Sequence, residues 1–529
     1  MLQRLLLAIT LFALTLPVYA QRHSEPQPIP TSPPIAAPKD IPYRGTMTVA
    51  VDATDIEHRI FRSHETIPVS AGAMVLLYPR WIPGSHAPSG PLLDVAGIQI
   101  SANGKPISWR RDAVDVYAYH VDVPKGVQTL EVDLQYLSPT DGPQGAITMT
   151  RDMLRLNWHS MVVYPAGYFM RRIAVDASVR LPESWQFGTA LEIDSTSGSS
   201  TSFKTVSFET LVDSPLIAGK YFKQLDLDPK GRSRVTLNIA ADDAQFLEVT
   251  PEVVALHREL IHQADLLYGA RHYNHYDFLL TLSDRLAGAG IEHQRSSDNG
   301  VTPKYFTTWD KSFISRDLLA HEYNHSWNGK YRRPADLWTP NLNVPMRDSL
   351  LWVYEGQTQY FGNVLAARAG LLTAQQALDS LAVTAATYDA RLGRAWRNLQ
   401  DTTNDPIIAT RRPIPWPSWQ RSEDYYSEGL LVENSNKISA VMWDSPAFKA
   451  GLTAGYELIA VNGTAFDGDK LKAAVKNSKA RTEPLEFLVK QGDSYRTIYI
   501  DYHEGARYPC LERLGAEPAM LDSILAPRS

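Results

Sequence analysis

Between residues 43 and 242, apolar and polar positions alternate in short runs broken by Gly, Pro and Asp, as at 46–52, 75–78 and 130–136. A period of two puts successive side chains on opposite faces of a strand, so these runs predict a β-sandwich-like domain. The period changes at Thr250-Pro251. Thr as N-cap and Pro at the first helical position open a helix to about Tyr268, with Val254, Leu256, Leu260, Ala264 and Leu267 along it. Residues 276–282 read as a buried strand. Helical segments follow at 315–330, 349–369 and 373–392, the second stopped by Gly370. Pro-rich loops such as 412–418 come next. After Val432, strand-like runs at 438–443, 457–461, 485–490 and 496–501 and a short helix at 469–476 make a small α/β module.

Composition sharpens this picture. With 44% hydrophobic and 21% charged residues, the 529-residue chain is long enough for several domains with their own cores. A net charge of −6 without a Lys/Arg block argues against a nucleic-acid binder. Cys510 is the only cysteine, so no internal disulfide and no Cys-based zinc site can form; any metal must be held by His and carboxylates. Residues 1–20 place Arg4 before an apolar run and end in Val18-Tyr19-Ala20, the pattern of a cleaved signal peptide. No other stretch approaches the roughly 20 apolar residues of a membrane span. Export with one cysteine points to a bacterial periplasm. Residues 21–42 form a Pro-rich linker.

The sharpest chemical signal is His321-Glu322-Tyr-Asn-His325. Residues four apart on a helix lie one turn above each other, so both imidazoles can face one ion. Zinc favours a tetrahedral site with three protein ligands and an open position for water, and Glu322 stands where it can take that water's proton. A chance match on a polar helix face is the alternative. Downstream, Glu355 is the single carboxylate in an apolar and aromatic stretch, 350–360. Metal ligation would explain it; so would pairing with an arginine such as Arg347.

His321-Glu322-x-x-His325-Ser-Trp327-Asn328, followed by Trp352-Val-Tyr-Glu355-Gly356-Gln-Thr-Gln-Tyr360, resembles the glycyl aminopeptidase family of zinc gluzincins. The resemblance implies a multidomain α+β chain: an N-terminal β-domain (43–245), a thermolysin-like zinc metallopeptidase domain (246–432), a C-terminal PDZ-like domain (433–505) and a tail (506–529). It implies one zinc per chain on His321, His325 and Glu355, Glu322 as general base, and peptides as substrates. Within Gly288-Ala-Gly-Ile-Glu292-His293, Glu292 would meet the substrate's free α-amine, because a carboxylate there penalises blocked substrates. His293 either lines that pocket or packs beside it. Tyr425-Tyr426-Ser-Glu428-Gly429 resembles the family's Tyr-Tyr-x-Lys-Gly motif, with Tyr426 as oxyanion donor.

The chain departs from the pattern in two places. Position 428 is Glu where the family has Lys. After Val432 the chain passes straight into the middle of the PDZ-like pattern, as if catalytic helices and a first strand were missing. Three functions compete: a zinc aminopeptidase releasing N-terminal Gly or Ala, a non-catalytic binding or scaffold protein with a degenerate peptidase domain, and a zinc endopeptidase. Oligomeric state is not encoded in any of these signals.

Overall fold

Alternation in the first half of the chain becomes paired strands. In the computed structural model, which describes residues 28, 30–231, 233–311, 313–389, 396–409, 430–432, 436–515 and 519–529, the strands Thr46–Asp55, Ile60–Pro68 and Thr129–Leu137 bury every second side chain. They lie side by side in a nine-stranded sheet, with Ala174–Arg180 parallel to Thr46–Asp55 and the other pairs of this group antiparallel. A four-stranded sheet including Gly72–Leu77 and Ala118–Val123, and a three-stranded one, complete the N-terminal β-rich domain. Met47, Val49, Phe61, Leu76, Tyr119, Val132 and Trp158 belong to one shared core. The domain ends near α1 (Phe208–Val212), whose N-cap Ser207 accepts from Thr210 N.

The second domain, expected from the resemblance to be a peptidase domain, is built on a five-stranded sheet in the order Tyr221–Asp226, Arg234–Ala241, His275–Leu282, Ser296–Val301, Gly290–Glu292. His275–Leu282 lies at its centre and is buried throughout, as its apolar run predicts. Helix α2 (Pro251–Tyr268) begins at Thr250, whose side chain accepts from Val253 N, and ends at Gly269 with φ 72°. Helices α3 (Leu318–His325), α4 (Thr358–Arg368) and α5 (Ala374–Asp389) follow.

Two of the predicted helices change shape. The segment at 315–330 shrinks to α3, because Ser315 holds φ 63° and Gly329 φ 125°, values a right-handed helix excludes. The segment at 349–369 divides into a π-helix, Trp352–Gln357, and α4. Among the described residues no helix is long and apolar enough to cross a membrane.

The C-terminal module holds Glu457–Val461, Leu485–Gln491 and Ser494–Ile500 in one sheet over its own core of Leu458, Leu471, Phe487 and Ile498. Leu430–Val432, read from sequence as the end of the peptidase domain, pairs antiparallel with Ile438–Val441 of this module. Within the segment expected as a C-terminal tail, the helix Met520–Leu525 packs on the core of the second domain, where Leu525 is buried. Residues 1–20, the loop 412–418, and Tyr425, Tyr426 and Glu428 lie outside the described residues.

Candidate metal centre

Helix α3 presents two imidazoles one turn apart. His321 Nε2 and His325 Nε2 lie 3.1 Å from each other. The π-helix supplies the third donor: Glu355 Oε2 is 3.4 Å from His321 Nε2 and 3.3 Å from His325 Nε2. Edges of about 3.3 Å are what a tetrahedron with metal–ligand bonds of about 2.0 Å requires, so the three donors fit a zinc-sized cation. His325 Nδ1 donates to Asn328 O at 3.1 Å, which leaves Nε2 with its lone pair free to ligate. Arg347, the alternative partner for Glu355, pairs with Asp336 instead.

The residues between the motifs lock these helices together. Trp327 stacks on Tyr268 with centroids 4.5 Å apart and donates from its indole to Ala270 O at 2.8 Å. Asn328 Nδ2 donates to Val353 O at 3.0 Å and Thr358 Oγ1 at 2.9 Å, tying the end of α3 to the segment that carries Glu355.

Glu322 is buried beside the donors, and its Oε2 has no hydrogen-bond partner among the described residues. Burial, with Glu292 and Glu355 nearby, pushes its carboxyl far above the usual carboxylate range. A cation among the neighbouring donors would draw it back toward the ionised form. Glu355 behaves oppositely: burial raises it, but His321, His325 and His86 together hold it far below the ordinary value.

Glu292, on the sheet's edge strand, reaches the same site; its ligand-type atoms and those of Glu322 and His325 lie within 4.8 Å of one another. Its Oε1 accepts from Tyr354 Oη and lies 3.7 Å from Lys330 Nζ, while Oε2 faces Gly84, where a Cβ would come within 2.9 Å of it. Burial raises its pKa, but Lys330, His325 and His86 bring it to about 2. His293, expected to line the pocket or pack beside it, makes its side-chain contact with Asp213. It lies just past the end of the edge strand, where its N–H donates to Ser296 O at 3.0 Å and its Nδ1 donates to Asp213 Oδ1 at 3.1 Å.

Two participants escaped sequence reasoning. Lys330, with a side chain 1% exposed, bridges Asp213 at 3.0 Å and Glu292. His86 of the β-rich domain has its Nε2 2.8 Å from Glu355 Oε1. Their only sequence signals are an unremarked lysine downstream of the histidine motif and a lone histidine in the Pro/Gly/Ser-rich turn at 83–90.

Known proteins resemble this chain in fold and in sequence family. The solved structure of an aminopeptidase N family protein from Idiomarina loihiensis matches with a TM-score of 0.73 at 15% identity, over 91% of this chain and 100% of its own. That likeness concerns the fold. Weaker matches include yeast LTA4 hydrolase (TM-score 0.41, 13% identity, 66% of this chain and 51% of that one) and the M1 zinc metallopeptidase from Deinococcus radiodurans (0.40, 14%, 70% and 80%). Among curated proteins no sequence matches. Residues 48–220 match the peptidase M61 N-terminal domain and residues 315–432, which hold all three donors and Glu322, match the M61 glycyl aminopeptidase domain. The chain belongs to the M61 glycyl aminopeptidase family.

Proposed function

We propose that this metallopeptidase is a zinc-dependent aminopeptidase that removes N-terminal Gly or Ala from peptides, with one zinc per chain on His321, His325 and Glu355. The observation that carries the reading is the triangle of three donors 3.1–3.4 Å apart with Glu322 alongside, its Oε2 without a hydrogen-bond partner among the described residues. When bound there, zinc supplies a Lewis acid for the scissile carbonyl and acidifies water. Glu322 accepts the proton of the attacking water and returns it to the departing amine. Glu292 Oε2 receives the substrate's α-ammonium, and Gly84 leaves the space for it. Tyr426, placed by its motif alone, donates to the developing oxyanion.

One observation favours a second reading, a zinc endopeptidase. Lys330 already compensates Glu292, which weakens the demand for a free amine. We also read residues 1–20 as a signal peptide for export to a periplasm, and the C-terminal module as PDZ-like without assigning it peptide capture.

The test is hydrolysis of a glycine arylamide with a free amine, its N-blocked counterpart, and a peptide blocked at both ends, with and without a zinc chelator. Chelator-sensitive turnover of the free-amine substrate alone is expected. Chelator-sensitive cleavage inside the blocked peptide identifies the endopeptidase. Glu322→Gln is expected to retain zinc and lose turnover, by about 10²–10⁴-fold for removal of a general base; retained turnover would remove Glu322 from that role.

A further inference from the structure

The metal centre is closed from the other domain. The turn at 82–87 is held by a bridge between Ile82 and Ala87 and by Ser85 N donating to Ile82 O at 3.1 Å, and it carries His86 into the cleft. His86 is 7% exposed. A carboxylate can only accept, so the 2.8 Å contact to Glu355 Oε1 is a donation from Nε2. The backbone of His86 sits at φ 50°, in the left-handed region that side chains other than glycine rarely adopt.

The surroundings hold it there. Its ring stands edge-on to Tyr354 with centroids 5.0 Å apart. Trp81, at the root of the turn, packs with Leu337, Met346, Leu351 and Tyr354 of the peptidase domain. Arg80 N and Trp81 N both donate to Leu342 O, at 3.1 and 2.7 Å. This much packing spent on one unfavourable backbone angle indicates that the direction of the imidazole matters.

We propose that His86 is a positioning residue for the metal ligand Glu355. By holding Oε1 on the side of the β-rich domain, it presents Oε2 to the corner shared with His321 and His325. Free carboxylates rotate readily about their last torsion and can offer either oxygen or both. One fixed hydrogen bond removes that freedom, which is how outer partners raise metal affinity. The inference rests on the zinc reading of the three donors and adds that the site is completed only when both domains are docked.

The experiment uses the full chain. Zinc affinity is measured by competition with a chromophoric chelator, the visible spectrum is recorded with cobalt in place of zinc, and melting is followed for wild type, His86→Ala and His86→Gln. His86→Ala is expected to weaken zinc binding about 10–100-fold and to change the cobalt spectrum. His86→Gln, which retains an N–H donor of similar reach, is expected to restore most of both. Unchanged affinity and spectrum in His86→Ala would overturn the proposal, as would equal losses in the Ala and Gln variants, which would mark a packing role. If His86→Ala does not fold, His86→Phe, which keeps a ring against Tyr354 but has no donor, is compared with His86→Gln on the same readouts. A wild-type chain that takes up no zinc overturns the zinc reading and this inference together, which distinguishes that failure from a failure of His86 alone.

Discussion

Gly290 sets where Glu322 can stand. A Cβ built on it would lie 2.9 Å from Glu322 Oε1 and 3.1 Å from Leu318 Cδ1, so the carboxylate would have to move. Glu322 is not one of the three proposed zinc ligands, and zinc uptake by Gly290→Ala is therefore expected to be unchanged. Turnover is expected to fall by about 10–100-fold, since a displacement near 1 Å at a reacting group is enough for that. Paired measurement of zinc content and kcat on the glycine arylamide decides it: loss of zinc, or unchanged kcat, would contradict the placement. Glu292 is committed at one of its two oxygens. Its Oε1 is already occupied by Tyr354 and Lys330, so only Oε2 is left for a substrate ammonium.

At the scale of elements, the site depends on how closely α3 and α4 approach. Gly362 of α4 lies against α3 so tightly that a Cβ would sit 2.9 Å from His321 Cα and 3.1 Å from His321 N. Backbone atoms cannot swing aside as a side-chain end can. Gly362→Ala is expected to part the helices at a cost of about 1–3 kcal/mol, as overpacking does. It should also weaken zinc binding, because His321 moves relative to Glu355; melting and chelator competition read the two effects separately. This packing explains what the sequence could disclose. His321 and His325 were legible because one helical period brings them together, and Glu355 because a lone carboxylate in an apolar stretch needs a partner. The π-turn was not, since the apolar pattern at 349–369 carries no mark of a wider turn. Neither was His86, which meets Glu355 across 269 positions of sequence through the docking of two domains. Tyr426, legible only by its motif, lies outside the described residues.

Over the whole molecule, the domains are interlocked in both directions. Leu342, from the peptidase segment, is buried in the core of the β-rich domain, and its N–H donates to Tyr164 Oη at 3.2 Å. Trp81 and His86 make the reciprocal crossing. The C-terminal return adds a third tie, because Leu525 belongs to the same core as Leu260, Phe278 and Leu365, with Leu521 and Ile524 packed against it. Arg368 Nε donates to Ile524 O at 2.8 Å, and the buried Gln263 side chain exchanges two 2.9 Å hydrogen bonds with the backbone of Arg528. The module between Leu430 and Ile500 is thus flanked on both sides by chain that belongs to one peptidase core, and its own core shares none of these residues. Removing the last tie should therefore weaken the peptidase domain and spare the module. Leu525→Ala is expected to destabilise the peptidase domain by about 2–5 kcal/mol, the usual range for truncating a buried leucine. A chain ending at residue 515 should lose more, because it also removes the two hydrogen bonds between the buried Gln263 side chain and the Arg528 backbone. The check is calorimetry with zinc release followed in the same scan. Zinc should leave at a lower temperature in both variants while the module's own transition keeps its midpoint. A lowered module transition with an unmoved zinc release would show instead that the returning helix supports the module rather than the active site.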